Sequence, residues 1–469
     1  MKRLGLLFTV MMAMGVFRPL PAIPARADSS RERAYQIAST LPLGVRTFLS
    51  LETNSNTFNV DYHYGHVNPA ADGAYPSNVG SSTTAWAIEG QRYGDVDVIA
   101  GVLHHDLNLV RTGLKMFDFG LYREAPNGSF PGSAGLFHGT TMFLAQAGPA
   151  MLVLKYWARE PYLGAATVSH INWEISRMKA AATYMVQSWW GHPGHIDDGG
   201  KEERKFEAAL ALESVGVLSH DTELQQKASV YARAGIRMTE PDGVWTEHGL
   251  SALCCHDSGY QAIGLIYGIR YLALLGSGPL CNSVWTTVQM GESWELSRTT
   301  PGGAVNRTGD DRTGPTCPEV SGSGKCKSID LDAVYGALMR WSVFANKSTF
   351  IRRAYFVWLH NWQQVTGQTL PAPSLFVYPH SELTTKELGY GWTFGVGGTR
   401  FQPLEPVVVY FAGTKVGQTV TDQEGSFGGH SPVNGVRFQP PQATTPGSYT
   451  VTAVGGFGTI RKTSVTITG

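Results

Sequence analysis

Three things are scarce in this chain, and each scarcity removes a class of function. After residue 27 no segment stays apolar for the roughly 20 residues that a membrane helix needs, so no span is expected. Charge imbalance is missing too, with 37 Lys and Arg against 37 Asp and Glu. A nucleic-acid partner needs a basic face to neutralise phosphates, and no basic tract stands out, so that class is set aside. Cysteine is sparse, at five residues. There is also no Gly-rich phosphate loop, nucleophile elbow or Cys-His catalytic string.

What is present begins with "MKRLGLLFTVMMAMGVF", two positive charges and a short apolar run. It ends at Ala25 and Ala27, a small-x-small site before Asp28, which is the pattern of a secretory signal peptide over residues 1–27. The chain is therefore expected to be secreted, where disulfides are permitted. Cys317 and Cys326 flank a short Gly/Ser-rich loop and are the preferred pair. Adjacent Cys254 and Cys255 are hard to bridge to each other, so Cys281 is expected to pair with one of them.

About 440 mature residues suggest a large domain and a smaller one. From about 30 to 367 the apolar spacing is helical, as in 95–118, where Ile99, Leu103, Leu107, Val110, Leu114 and Phe117 form one stripe. Similar runs occupy 138–158, 170–190, 203–218, 223–238, 257–275, 330–346 and 349–365. A turn signature recurs ahead of the helices: "ADGAYP" at 71–76, "PNGSFP" at 126–131 and "PDGVWT" at 241–246. Asx-Gly favours a tight turn with positive φ, and the aromatic that follows can clamp it onto the helices. The expected fold is mainly α, a toroid of about six helical hairpins over 28–388, incomplete or closed. After residue 390 short Val- and Thr-rich runs separated by Gly and Pro turns predict an all-β sandwich at 392–469. The wording "GTRFQPLEPVVVYFAGTKVGQTVTDQEGSF" resembles bacterial immunoglobulin-like modules, which implies surface or glycan attachment and no catalytic residues.

The stretch "DGVWTEHG" followed by "DSGYQAIGLIYG" looks like a segment of the α/α-toroid polysaccharide lyases, a group that includes hyaluronan/chondroitin, heparin and alginate lyases. About 28 residues carry the resemblance, with weaker support from "NGSFPGSAGLFHGTTMF" at 127–143. It implies an acidic polysaccharide substrate cleaved by β-elimination, with Tyr260 as catalytic acid and base and His138 as its partner. Asn78, by loop position, falls on the residue that neutralises the substrate carboxylate. The chain lacks the Asn-Asn-His-x-Tyr string of some alginate lyases, which leaves the base and the neutraliser open.

The chemistry asks for the same residue types. The proton beside a uronate carboxylate is weakly acidic, so the carboxylate must be neutralised before a base can take it and an acid can protonate the leaving oxygen. A tyrosine base needs a cation or donor beside it; His256 and His248 are near Tyr260 in sequence, and Arg312 in "GDDRTGPT" is a further candidate. Asp257 fits the N-cap of the 257–275 helix. Glu247 and His248 are candidate substrate-binding residues or else line the turn, and Trp245 either packs it or stacks on a sugar.

Two other readings remain open. A glycoside hydrolase on the same toroid needs two carboxyl groups about 5 to 10 Å apart, for which Glu247 with Asp72 or Asp242 is the pair to test. A non-catalytic surface or glycan-binding protein is the third. "HPGHIDDGG" at 192–200 and "DYHYGHVN" at 61–68 hold His and Asp, but neither is a closed ligand set for zinc or calcium, so no cofactor is required.

Overall fold

The computed structural model of the chain describes residues 40–55, 73–74, 86–104, 106–133, 136–158, 163–189, 201–245, 256–316, 326–366, 373–378, 381–389, 391–402, 405–421, 425–429, 435–441, 444–456 and 459–469. Its helical part comprises α1 (Leu43–Ser55), α2 (Gly94–His104), α3 (Leu107–Leu121), α4 (Leu136–Val153), α5 (Ala165–Trp189) and α6 (Glu202–Ser219). It continues with α7 (Thr222–Ile236), α8 (Ser258–Leu275), α9 (Pro279–Arg298), α10 (Leu331–Ala345) and α11 (Ser348–Thr366).

These helices form two layers of a toroid. α2, α4, α6, α8 and α10 pack side by side in that order, while α3, α5, α7, α9 and α11 each return along the outside. α1 lies against α4, α8 and α10. Composition explains the layering: α8, "SGYQAIGLIYGIRYLALL", is apolar almost all round and buried along most of its surface, with Tyr260, Ile263 and Ile266 half-buried. α7 buries only Leu224, Ala228, Tyr231, Ala232 and Gly235, one stripe at helical spacing, and so faces solvent with the rest. No apolar stripe marks α9, whose buried face includes Thr287, Gly291, Glu292 and Glu295.

The 95–118 stripe is divided rather than continuous. Asp106 caps α3 by accepting hydrogen bonds from the backbone N–H groups of Asn108 and Leu109, which starts a second helix and folds the segment into an inner–outer hairpin. The same apolar residues then meet across the hairpin instead of lining one rod.

The recurrent turn sets the hairpin geometry. Gly73, Gly128, Gly243 and Gly303 have φ of 92°, 84°, 92° and 90°. A Cβ on any of them would lie 2.0–2.4 Å from a backbone carbonyl oxygen, that of Lys115, Ala180, Met290 or Phe356. Each turn therefore presses on the outer helix of the hairpin it introduces, and only glycine fits there. Turns 125–129, 240–244 and 300–304 share one pair of backbone hydrogen bonds, although the last has Gly302 in place of the Asx. Asp242 serves its turn, accepting from Val244 N at 3.2 Å, and it is exposed.

A buried ionic knot joins the inner helices. Arg270 on α8 donates to both carboxylate oxygens of Glu52 on α1, at 3.0 and 2.9 Å, and to Gln146 on α4 at 2.7 Å. Arg340 on α10 reaches Glu52 at 3.3 Å. Although burial alone would raise it, the two guanidiniums hold the Glu52 carboxyl far below the usual range.

The β part contains β1 (Ser374–Tyr378), β2 (Glu382–Thr384), a short α12 (Thr385–Gly389), β3 (Phe394–Thr399), β4 (Pro406–Phe411), β5 (Thr414–Val420), β6 (Val436–Phe438), β7 (Gly447–Gly455) and β8 (Ile460–Thr468). Sheet orders are β1-β3-β6 and β2-β8-β7-β4-β5. Alternating burial along β4 and β7 turns Val407, Val409, Phe411, Val451 and Ala453 into one apolar cluster with Phe394, Phe427 and Phe438. The strands start earlier than the expected 388/392 boundary, because β1 pairs along its length with β3 and β2 pairs with β8. Among the cysteines, Cys281 is free, so its expected pairing is corrected: it lies on the outer helix α9, partly buried against the core. Cys317, the expected partner of Cys326, lies outside the described residues, as do Cys254 and Cys255.

Candidate functional site

The start of α8 is built on two buried aspartates. Asp257 caps the helix, its Oδ1 accepting from Gly259 N at 3.0 Å and Tyr260 N at 3.1 Å. Its Oδ2 accepts from Arg312 N at 3.1 Å, Thr313 N at 2.8 Å and Thr313 Oγ1 at 3.0 Å. Asp310 accepts from Ser258 N at 3.2 Å and from Arg298 Nη2 at 3.1 Å. Both carboxylates are thus satisfied by several donors, as buried charges must be. The effect is to sew the 310–313 loop onto the first turn of α8.

That seam brings the site together. Lys327 N donates to the Arg312 carbonyl at 2.9 Å, so residues 312 and 327 lie side by side. Lys327 Nζ donates to Tyr260 Oη at 2.6 Å. Arg312 Cζ stands 4.6 Å from the centre of the Tyr260 ring, within cation–π range. The phenol oxygen of Tyr260 therefore has an ammonium at hydrogen-bond distance and a guanidinium over its ring.

His138, in the first turn of α4, feels the same charges. Burial holds its imidazole down to about pKa 3, assisted by Arg204, Arg92, Arg312 and Lys327. It is consequently a neutral ring in a cationic setting. Because an outer helix returns after each inner one, the inner helices run parallel and start at the same end of the ring. Arg204 lies in the first turn of α6, and Arg92 lies just before α2. Cations there oppose the positive end of the helix dipole; Arg92 is ion-paired with Glu89, and Arg204 Nε stands 3.8 Å from Glu203. An anion bound at this mouth would be favoured by both the side chains and the helix ends.

Of the residues singled out from sequence, Tyr260, Arg312 and His138 share this region. His256 turns elsewhere: its ring packs edge-on against Trp294 at 5.3 Å, and its Nε2 is 3.5 Å from Asp310 Oδ1. It thus stands beside the aspartate knot. Trp245 is corrected. It is 2% exposed and stacks on Phe206 at 4.7 Å, so it clamps its turn to the core and offers no face to a sugar. Asn78, Glu247 and His248 lie outside the described residues, as do Asp72 and the His-rich stretches at 61–68 and 192–200.

Sequence reading missed Lys327, Arg92 and Arg204. Arg92 and Arg204 carried a usable signal, a basic residue where a helix begins. Lys327 follows a Gly/Ser loop and had none.

No protein-family model matches the chain, and no curated protein matches it. Among solved structures it is similar to an unsaturated glucuronyl hydrolase from Bacillus sp. GL1, described as responsible for the degradation of glycosaminoglycan. The identity is 13%, over 66% of this chain and 82% of that one, with a TM-score of 0.41. A second similar structure, of a UGL variant with dGlcA-Glc-Rha-Glc, has 14% identity over 70% and 84% of the two chains and a TM-score of 0.42. A DNA-bound alkylpurine glycosylase from Pseudomonas fluorescens scores 0.14 at 12% identity, over 81% of this chain and 96% of that one. Likeness at this level does not decide a reaction.

Proposed function

We propose that this chain is a secreted carbohydrate-active enzyme that cleaves a uronate-containing polysaccharide by β-elimination. The observation that carries the reading is the Lys327 ammonium on the Tyr260 hydroxyl, with Arg312 over the same ring and a neutral His138 among the same cations. In the reaction a base removes the proton beside the carboxylate. The electron pair forms the new ring double bond, the glycosidic C–O bond breaks, and an acid protonates the leaving oxygen.

The residues divide these tasks. Arg92, Arg204 and Arg312 supply the positive charge that neutralises the uronate carboxylate and stabilises the enolate. Tyr260 protonates the leaving oxygen, and Lys327 stabilises the phenolate that results. Burial first, and then its cationic neighbours, make His138 a weak base in the free protein. A bound carboxylate offsets the cationic part of that depression.

The test is ultraviolet absorbance during incubation with alginate, hyaluronan, heparan, chondroitin and glucuronan, since each cleavage leaves an unsaturated uronyl end. Absorbance that rises with the wild type and is lost in Tyr260→Phe is expected. Silence across the whole panel overturns the reading, and new reducing ends without absorbance would favour hydrolysis instead. Export rests on residues 1–27 and predicts a mature N-terminus at Asp28, readable by N-terminal sequencing. The immunoglobulin-like reading of the β part assigns it to attachment, and deleting it should reduce glycan retention before it reduces turnover on short substrates.

A further inference from the structure

A second polar cluster lies on the outer layer of the ring, between α3 and α5. Asp118 belongs to α3, while His170 and Glu174 are one turn apart on the same face of α5. The ligand-capable atoms of the three lie within 4.8 Å of one another. His170 Nε2 and Asp118 Oδ1 are 2.7 Å apart. Glu174 is fully buried, and neither of its carboxylate oxygens has a hydrogen-bond partner. A buried carboxylate without a donor is costly, and a native fold keeps one only for a reason. Among the described residues, no lysine or arginine acts on Asp118 or Glu174; the charged and titratable groups that face them are each other, His170 and the Tyr122 hydroxyl.

We infer that Asp118, His170 and Glu174 bind a divalent transition-metal ion, zinc being the best chemical match, which clamps α3 to α5. One imidazole nitrogen and two carboxylates are a donor set zinc accepts, leaving a further position for water. Two ligands of a tetrahedral zinc stand about 3.3 Å apart, so entry of the ion moves His170 and Asp118 apart by roughly half an ångström, within reach of side-chain rotation. Their side chains are 32% and 20% exposed, which gives the ion a way in, while Glu174 closes the inner side. Trp173 supports the site, with the His170 ring stacked on it at 5.3 Å and Tyr122 against it at 4.7 Å. The ion would supply the positive charge that the two carboxylates lack.

The full chain, stripped with chelator and dialysed against zinc chloride, tests this by metal counting. Wild type should hold one equivalent more than His170→Gln and more than Glu174→Gln, with affinity at that site reduced by at least about a hundredfold in both. Zinc should also raise the thermal midpoint of wild type, and that rise should vanish in the variants. Cobalt in place of zinc should give visible bands in wild type only. If either variant fails to fold by circular dichroism, the other provides the comparison, and Asp118→Asn offers a third. No uptake by wild type overturns the inference, and so does equal uptake by wild type and any folded variant.

Discussion

The mouth of the ring and its outer wall confront opposite electrostatic problems. At the mouth, Arg92, Arg204, Arg312 and Lys327 surround a neutral His138, and two of them hold Tyr260. On the wall, Asp118 and Glu174 lie beside one imidazole, that of His170. A chain of zero net charge has therefore gathered cations at one place and carboxylates at another. Neither arrangement helps a fold for its own sake, because like charges repel and buried ones are costly. Each is understandable as half of a pair, the mouth awaiting an anion and the wall a metal ion.

The contrast is broken most severely at Tyr260. Tyr260→Phe removes the acid and keeps the ring, so turnover should fall by about 10²–10⁴ while circular dichroism is unchanged. Lys327→Met follows, with an expected loss of about a hundredfold in kcat and a smaller change in KM, because its charge acts on the phenolate formed in the transition state. In contrast, His170→Gln should leave turnover on the same glycan as it was, since nothing at the mouth depends on the outer wall.

The turns give a smaller effect, read in stability. Gly243→Ala and Gly303→Ala each force a Cβ against a helix carbonyl at positive φ, and each should cost about 1–3 kcal/mol in denaturant unfolding. Similar losses at the two sites would show that the fourth turn, which lacks the Asx, is the same device.

A last effect is expected in the pH dependence. Burial raises Glu207 to about 8 from 4.5, against the pull of Arg204 and Arg92. A raised carboxyl contributes stability that is complete below pH 4.5 and is lost as pH climbs through about 8. Glu207→Gln should flatten that alkaline decline by at most about 1.4 kcal/mol per pH unit, measured by urea unfolding between pH 5 and pH 8. His138 works the other way: its depressed value removes stability as pH falls from 6.5 toward 3.

How much of this was legible depended on whether a signal was local. The start of α8 was, because Asp257 followed two and three residues later by Gly259 and Tyr260 is a capping pattern that needs no distant partner. The Asx-Gly turns were legible for the same reason, although 300–304 escaped by having Gly-Gly. α9 escaped because its inner face carries Glu292 and Glu295 where hydrophobic residues would mark a helix. The fate of Trp245 and His256 was decided by Phe206 and Trp294, residues 39 and 38 positions away, which spacing does not reveal. Lys327 reached Tyr260 across 67 positions of sequence, and only the fold supplies that contact.

The Glu52 knot bears on how the chain comes to be folded. Glu52 meets Arg270 across 218 positions and Arg340 across 288, so the contact forms only after nearly the whole helical part has been made. Such long closures are slow, and until they happen two arginines lack the Glu52 carboxylate, with Asp95 near Arg270 alone. Hairpins emerging one after another can pair locally, but the last inner helix must find the first. A chain shortened at α1 would keep every later hairpin and still strand both guanidiniums, a loss far larger than one helix suggests. The two ends of the helical part, α1 and α10, meet at the Glu52 carboxylate.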